Sequence, residues 1–190
     1  MRLEMAHVLD PPRSTQAWRM YEAAFAPLRT RAMQRHAMNR EEFDQVMADK
    51  RVEKHLALDP RDDAIVALAT FTNVLDAMPL ISPEYFATRW PDLYERHRVW
   101  YLGFFAIEAE HRHSGIFEAV IGQMWAPIQA GGGVAALDIP MINVERGLAD
   151  AITRTLRDLT PDMVAEQVDA QTYWAFTRAT PRPGPATTVA

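Results

Sequence analysis

The most constraining feature of this chain is a nearly unbroken apolar run, Val99 to Ile107, followed by a short polar loop. A run without polar alternation is typical of a strand that is buried on both faces of a sheet. From Ser114 to Trp125 apolar residues return at helical spacing, at Phe117, Ile121 and Met124. The sequence therefore predicts a central strand that leads through a short loop into a helix.

The flanking segments alternate between helix and strand patterns. Asn39 and Glu42 form a capping-box pattern at the start of a helix. The turn Asp59–Asp63 separates two segments rich in strand-forming residues, 52–58 and 64–75, as in a β-hairpin. Because hairpins and strand–helix–strand crossovers both occur, we predict an α/β (α+β) fold with a mixed, mostly antiparallel central sheet flanked by helices.

The second half of the chain adds three strand patterns and one helix pattern. Residues 134–139 resemble a buried strand, and a helix pattern follows Asn143. The segments 163–168 and 171–177 are predicted as two final strands.

The length of 190 residues fits one domain, which we place at residues 1–179. The segment 78–98 forms an insertion between two central strands, and Ser82-Pro83-Glu84 predicts that it is helical. Residues 180–190 are rich in proline and small residues, so we expect a flexible tail.

Composition excludes several classes of function. The net charge of -5 argues against a general nucleic-acid binder, which needs a basic face. The chain has no cysteine, so it has no disulfide, thiolate nucleophile or thiolate metal site. No apolar run reaches about 18 residues, and no signal peptide is evident, so we expect a cytoplasmic protein that does not enter a membrane. His111 and His113 lack further ligands at a metal-binding spacing, and we predict no metal.

The loop after the central strand has the properties of an anion site. The first N–H groups of a helix have no partner within the helix, and the helix dipole adds partial positive charge there. Gly115 would allow a phosphate to approach the backbone closely, and Arg112 could add a charged hydrogen bond.

This stretch resembles the acetyl-CoA motif of the GNAT superfamily of N-acetyltransferases. An aliphatic residue, an acid, an arginine and a glycine match at Ile107, Glu110, Arg112 and Gly115, whereas Ala109 replaces a proline and Phe117 replaces a small residue. The resemblance implies acetyl-CoA or another acyl-CoA as donor. It implies cofactor contacts from Phe105, Ala106, Ile107, Arg112, His113, Ser114, Gly115, Ile116 and Phe117.

A second match lies in the next strand and helix. Asp138 matches an acid that the family often carries, and Asn143 matches an asparagine five positions on. The resemblance implies that Asn143 hydrogen-bonds the pantetheine arm, and it can also be a helix N-cap. Arg146 stands where the family has alanine, and Asp150 stands where the family has the tyrosine that protonates the departing thiolate.

Three residues are candidates for the chemistry. Asp138, at the end of a buried strand, could take the proton of an attacking amine. It could also be only a solvated residue before Pro140 or a cap for the following turn. Glu108 leaves the central strand at its mouth and is a rival base. If the last strands return to the site, as they do in the family, Tyr173 would replace the missing tyrosine acid.

The resemblance implies an acyltransferase that moves an acyl group, such as acetyl, to an amine in a ternary complex. Two alternatives stay open: an acyl-CoA-binding sensor without turnover, and an interaction domain without a small ligand. The amine acceptor and the length of the acyl chain are not specified by the sequence. Exposed edge strands would also allow a homodimer.

Overall fold

The computed structural model describes residues 1–32, 37–79 and 81–176. Within these ranges the chain forms one five-stranded sheet with helices on both faces. The elements are β1 (Arg2–Ala6), α1 (Pro11–Phe25), α2 (Arg40–Ala48), β2 (Glu53–Leu58), β3 (Ile65–Thr72), α3 (Pro83–Arg89), α4 (Pro91–Glu95), β4 (Val99–Ile107), α5 (Ile116–Gly131), β5 (Val134–Ala136), α6 (Met141–Glu145) and α7 (Leu148–Leu159), with short 3-10 helices at Ala26–Thr30, Leu75–Ala77 and Ala109–His111.

The strands stand in chain order across the sheet, from β1 at one edge to β5 at the other. The first four are antiparallel to their neighbours, whereas β4 and β5 run parallel. A parallel pair needs a crossover connection, and α5 supplies it. β2 and β3 form the predicted hairpin. The expected mixed, mostly antiparallel sheet flanked by helices is therefore confirmed.

Both faces of the sheet are buried against helices. One face packs against α1, α2 and α3, and its core includes Tyr21 and Phe104. We call it the α1 face. The opposite face packs against α5 and α7 through residues such as Phe71 and Val120, and we call it the α5 face. This double cover explains why β3 is buried along its whole length and why the sequence of β4 is nearly all apolar.

The capping box predicted at the start of α2 has the expected form. Asn39 and Glu42 make the capping box at the start of α2, since each side chain accepts a hydrogen bond from the other residue's backbone N–H. The segment 78–98, apart from Leu80, which lies outside the described residues, contains the two short helices α3 and α4. Phe86 of α3 contacts Tyr101 of β4, so the insertion covers the α1 face.

The side chain of Lys54, in β2, connects the segment after β1 with the turn before β2. Its ammonium group is fully buried and donates hydrogen bonds to the carbonyl oxygens of His7 (2.8 Å), Asp49 (2.6 Å) and Val52 (2.8 Å). Burial lowers the pKa of Lys54 to about 8, although the charge of Asp49 acts in the opposite direction.

The two predicted final strands are wrong. Residues 163–176 have no regular secondary structure, and Phe176 has 91% of its surface exposed. The segment instead contacts α3, where Arg89 forms an ion pair with Glu166 and the hydroxyl of Tyr85 donates to the carbonyl of Val168. An alternating pattern forms a strand only where a neighbouring strand pairs with it. Residue 177 and the expected tail at 180–190 lie outside the described residues.

The region after β5 also differs from the prediction. The strand ends at Ala136 rather than at residue 139, and two helices follow in place of one. Gly147, with φ of +81°, separates α6 from α7. Asn143 lies inside α6, whose N-cap is Pro140, so its predicted role as a helix N-cap is wrong.

Candidate functional site

The candidate site lies where the parallel strands β4 and β5 separate. They pair only at Val99–Val134, Trp100–Ala135 and Tyr101–Ala136. β4 then continues to Ile107 without a strand beside it on this edge in the described part of the chain. We call this opening the fork.

A β-bulge in β4 lies at the start of the fork. Thr70 of β3 is opposite Phe104, and Phe71 is opposite Leu102, so Gly103 is an extra residue on β4. A bulge of this kind bends its strand and increases its twist. The bulge is therefore well placed to direct the second half of β4 away from β5.

The loop from β4 to α5 ends in an exposed helix N-terminus. His113 and Gly115 both adopt positive φ, +65° and +78°. Ala119 is the first residue of α5 whose backbone N–H reaches a carbonyl one turn earlier, that of Gly115. The three preceding N–H groups have no such partner within the helix. The residues of the loop from Arg112 to Gly115 are exposed, so an anion could reach these donors.

Phe117 does not obstruct this N-terminus. Its ring is partly buried on the α5 face and packs edge-on against Phe105, with ring centroids 5.3 Å apart. Ile116 is buried on the same face, at 4% exposure. The bulky side chain at position 117 therefore anchors α5 to the sheet and leaves the space before the helix open.

Asp138, one of the three catalytic candidates, lies two residues beyond the end of β5. Its carboxylate accepts a hydrogen bond of 2.6 Å from the hydroxyl of Tyr101 across the fork. Tyr101 is buried, at 7% exposure. Burial, followed by the negative charge of Asp138, raises the pKa of the Tyr101 hydroxyl far above its usual value. The phenol is therefore protonated at neutral pH.

Nothing in the sequence around Tyr101 distinguishes it from a core aromatic residue, and it was not among the predicted site residues. The available signal was positional. Tyr101 lies in the central strand, and Asp138 follows the next strand, which runs parallel to it. Polar side chains on neighbouring parallel strands meet when both lie toward the same end of the sheet. Predicting such a contact requires the register of the two strands.

Glu108, the second candidate base, directly follows the end of β4. Its backbone N–H donates to the carbonyl of Val66 in β3, and its side chain lines a groove of about 440 Å³ between α1 and the loop. The groove also contains Arg19, Glu110 and Arg112, and none of these charged groups forms an ion pair with another described residue. Glu108 and Asp138 therefore face different surroundings.

Comparison with known proteins shows which fold this is. No protein-family profile matches the sequence, and a search of curated protein sequences finds no significant match. Solved structures do match over 93% of the chain. An aminoglycoside acetyltransferase from an uncultured soil metagenomic sample has a TM-score of 0.52 at 15% identity, with 96% of that chain covered. The chain has the GNAT fold.

Two further solved structures agree with this result. The aminoglycoside antibiotic 6'-N-acetyltransferase of Acinetobacter haemolyticus aligns with 93% of the chain and 100% of its own, at 14% identity and a TM-score of 0.52. The ribosomal-protein-alanine N-acetyltransferase of Brucella melitensis aligns with 94% of the chain and 100% of its own, at 15% identity and the same TM-score. These structural neighbours are acetyltransferases that act on different acceptors, so the likeness is one of fold.

Two other predicted site residues lie outside the pair at the fork. Asn143 is half-buried in the short helix α6, and its backbone N–H donates to the carbonyl of Pro140. Tyr173 lies in the irregular segment after α7, with 44% of its surface exposed. The strand that was expected to carry Tyr173 back to the GNAT site is absent from the described residues.

Neither a membrane-spanning helix nor a metal-binding cluster is found among the described residues. None of their helices combines the length and apolar character needed to cross a bilayer. They also bring together no group of three or more histidine, aspartate or glutamate side chains that could hold a metal ion.

Proposed function

We propose that the chain transfers an acyl group from an acyl-CoA thioester to an amine. The fork between β4 and β5 supports this proposal most directly, because it opens beside the N-terminus of α5. The pantetheine arm would lie along β4, next to the backbone of Phe105, Ala106 and Ile107. The pyrophosphate would accept hydrogen bonds from the N–H groups at the start of α5.

The exposed loop would complete the donor site. The side chain of Arg112 would contact a phosphate, and the backbone of His113, Ser114 and Gly115 would approach it closely. The hydroxyl of Ser114 donates to the carbonyl of His111 (2.6 Å), a bond that stabilises the loop. Asn143 would hydrogen-bond the pantetheine arm from the opposite side of the fork. The missing cysteines fit a reducing compartment, and we place the reaction in the cytoplasm.

Asp138 and Tyr101 would manage the protons of the reaction. The amine nitrogen bonds to the thioester carbonyl carbon, the C–S bond breaks, and Asp138 takes the amine proton. Tyr101 gives its proton to the departing thiolate and regains one from Asp138. The charge of Asp138 is one cause of the raised pKa of Tyr101, so a neutral Asp138 makes Tyr101 a stronger acid as the thiolate leaves. The products are an N-acyl amine and a free thiol.

Tyr101 would thereby take over the role of thiolate acid for which Tyr173 was the candidate. Glu108 remains the alternative base, because it lines the groove beside α1. Asp138→Asn and Glu108→Gln distinguish the two, since each variant removes one carboxylate and keeps its shape. A large loss of kcat in only one of them identifies the base.

One observation favours binding without turnover as the second candidate function. Asp150, at the position of the usual tyrosine acid, is exposed on α7. A sensor would bind acyl-CoA and transfer nothing to any member of a panel of amines. Acyl transfer to even one amine, abolished in Asp138→Asn or Tyr101→Phe, excludes the sensor.

The first experiment measures the thermal stability of the chain with coenzyme A, acetyl-CoA and longer acyl-CoA donors. A ligand at about 100 times its Kd adds about 2.7 kcal/mol to the free energy of unfolding. Gly115→Trp tests the location, because a side chain there would cover the N-terminus of α5. An added Cβ at Gly115 meets no atom within 4 Å, so the tryptophan requires no repacking of the core.

Gly115→Ala is the matched control, since it carries the same backbone strain without the bulk. We expect Gly115→Trp to lose the shift and Gly115→Ala to keep it. If the unaltered chain gains no stability from any acyl-CoA, the transferase proposal is wrong. If Gly115→Trp binds normally, the donor site lies elsewhere.

A further inference from the structure

Thr70, in β3, has a buried hydroxyl group without a hydrogen-bond partner among the described residues. The residue has no exposed surface, and its Oγ1 contacts no donor or acceptor among the described residues at hydrogen-bond distance. Leaving a buried hydroxyl unsatisfied costs free energy, and valine has the same shape without that cost. Each such group in a folded protein therefore needs an explanation.

A neighbouring threonine shows what the same strand does when the role is structural. Thr72 is equally buried and lies two residues further along β3. Its hydroxyl donates to the carbonyl of Arg51 (2.8 Å) and accepts from the backbone N–H of Val74 (3.0 Å). Thr72 is thus fully satisfied within the chain, whereas Thr70 is not.

The hydroxyl of Thr70 faces the bulge at the start of the fork. A Cβ atom built on Gly103 would lie 2.7 Å from Thr70 Oγ1 and against the terminal methyl group of Met78. The absence of a side chain at Gly103 therefore leaves room for the end of the Met78 side chain beside the hydroxyl. Methionine side chains are flexible and adapt to what they pack against.

The region over Gly103, which the end of Met78 fills, adjoins the proposed reaction centre. Gly103 is the residue at which β4 bulges, and Tyr101, two residues earlier in the same strand, holds Asp138 across the fork. An acyl group that enters through the fork onto the α1 face would lie over Gly103. The carbonyl oxygen of a thioester accepts hydrogen bonds, which is what an unpartnered hydroxyl can supply.

We propose that the Thr70 hydroxyl donates a hydrogen bond to the carbonyl oxygen of the donor's acyl group, in the space over Gly103 that the end of Met78 vacates. This inference rests on the proposed function and adds to it a residue that distinguishes an acyl-CoA from coenzyme A itself. The bond would position the thioester and polarise its carbonyl toward attack.

The test compares the affinities of two probes, coenzyme A and acetyl-CoA, by calorimetry on the full chain. We expect Thr70→Val to weaken acetyl-CoA binding about 3- to 10-fold, the value of one neutral hydrogen bond. The affinity of Thr70→Val for coenzyme A, which has no acyl group, should stay unchanged. Thr70→Ser should bind acetyl-CoA as tightly as the unaltered chain does, because serine keeps the hydroxyl.

Thr72→Val is the control for a structural effect. It should lower Tm, because it leaves the Arg51 carbonyl and the Val74 N–H without their partner, and it should not alter the ratio of the two affinities. Thr70→Val should keep or raise Tm, because it removes an unsatisfied group. This pattern separates a ligand contact from a contribution to folding.

Three outcomes overturn the inference. If Thr70→Val binds acetyl-CoA as the unaltered chain does, the hydroxyl makes no contact with the acyl group. If it weakens both probes equally, the effect acts through the shape of the fork. If the unaltered chain binds neither probe, the proposed function itself fails, which is a result distinct from the first two.

Discussion

The buried ammonium group of Lys54 makes the stability of this protein depend on pH in a specific direction. Lys54 has a pKa of about 8 in the folded chain, against 10.5 for an unperturbed lysine, because burial disfavours its charged form. Between these two values the unfolded chain holds a proton that the folded chain has released. Stability rises with pH wherever the unfolded state binds more protons. The free energy of unfolding should therefore increase from pH 8 toward pH 10.5.

The size of the effect follows from the two pKa values. One pKa unit corresponds to about 1.4 kcal/mol, so full deprotonation in both states changes the stability by about 3 kcal/mol. By pH 9.5 the folded lysine is almost entirely neutral and the unfolded lysine is still mostly charged. The expected gain between pH 7 and pH 9.5 is therefore about 2 kcal/mol.

Urea unfolding followed by tryptophan fluorescence measures this gain. Lys54→Arg is the matched variant, because an arginine remains charged over this range of pH. The difference in stability between the unaltered chain and the variant should grow by about 2 kcal/mol from pH 7 to pH 9.5. Subtracting the variant removes the contribution of every other titrating group. Lys54→Met, which also cannot titrate, serves if the arginine does not fit.

A direct measurement avoids dependence on any variant. The chain has only two lysines, Lys50 and Lys54, and Lys50 is exposed. With 13C-labelled lysine, two resonances report the two titrations separately. If the Lys54 resonance titrates at or above 10.5, the three carbonyl partners outweigh burial and the reasoning is wrong. Parallel stability curves for the unaltered chain and Lys54→Arg would refute it as well.

Two further predictions follow from the site and from the start of β5. Tyr101 has a raised pKa, so the unfolded chain loses the phenol proton near pH 10 while the folded chain keeps it. The free energy of unfolding should therefore fall above pH 10, and the fall should be smaller in Tyr101→Phe. Gly133→Ala should lower the free energy of unfolding by about 2–3 kcal/mol in urea titrations, since φ is +145° and the new Cβ would lie 2.6 Å from the backbone oxygen of Arg98. Gly131→Ala is its control, with no contact closer than 3.9 Å, and an equal loss there would contradict the backbone argument.

Local signals predicted those elements whose formation depends on neighbours in the sequence. The capping box of Asn39 and Glu42, the hairpin around Asp59–Asp63 and the path from the apolar strand into α5 all formed as expected. The final strands at 163–168 and 171–177 did not form, because a strand is stabilised by pairing with another strand, and no local pattern specifies that partner.

The sequence alone therefore determined the class of fold, the central strand and the loop that leads into α5, since periodicity, capping and glycine placement act within a few residues. The tertiary structure decided the pairing of Tyr101 with Asp138, 37 positions apart, and the approach of the Thr70 hydroxyl to Gly103. Both contacts depend on the register of β4 against its two neighbours. A shift of one residue would turn each side chain to the opposite face of the sheet.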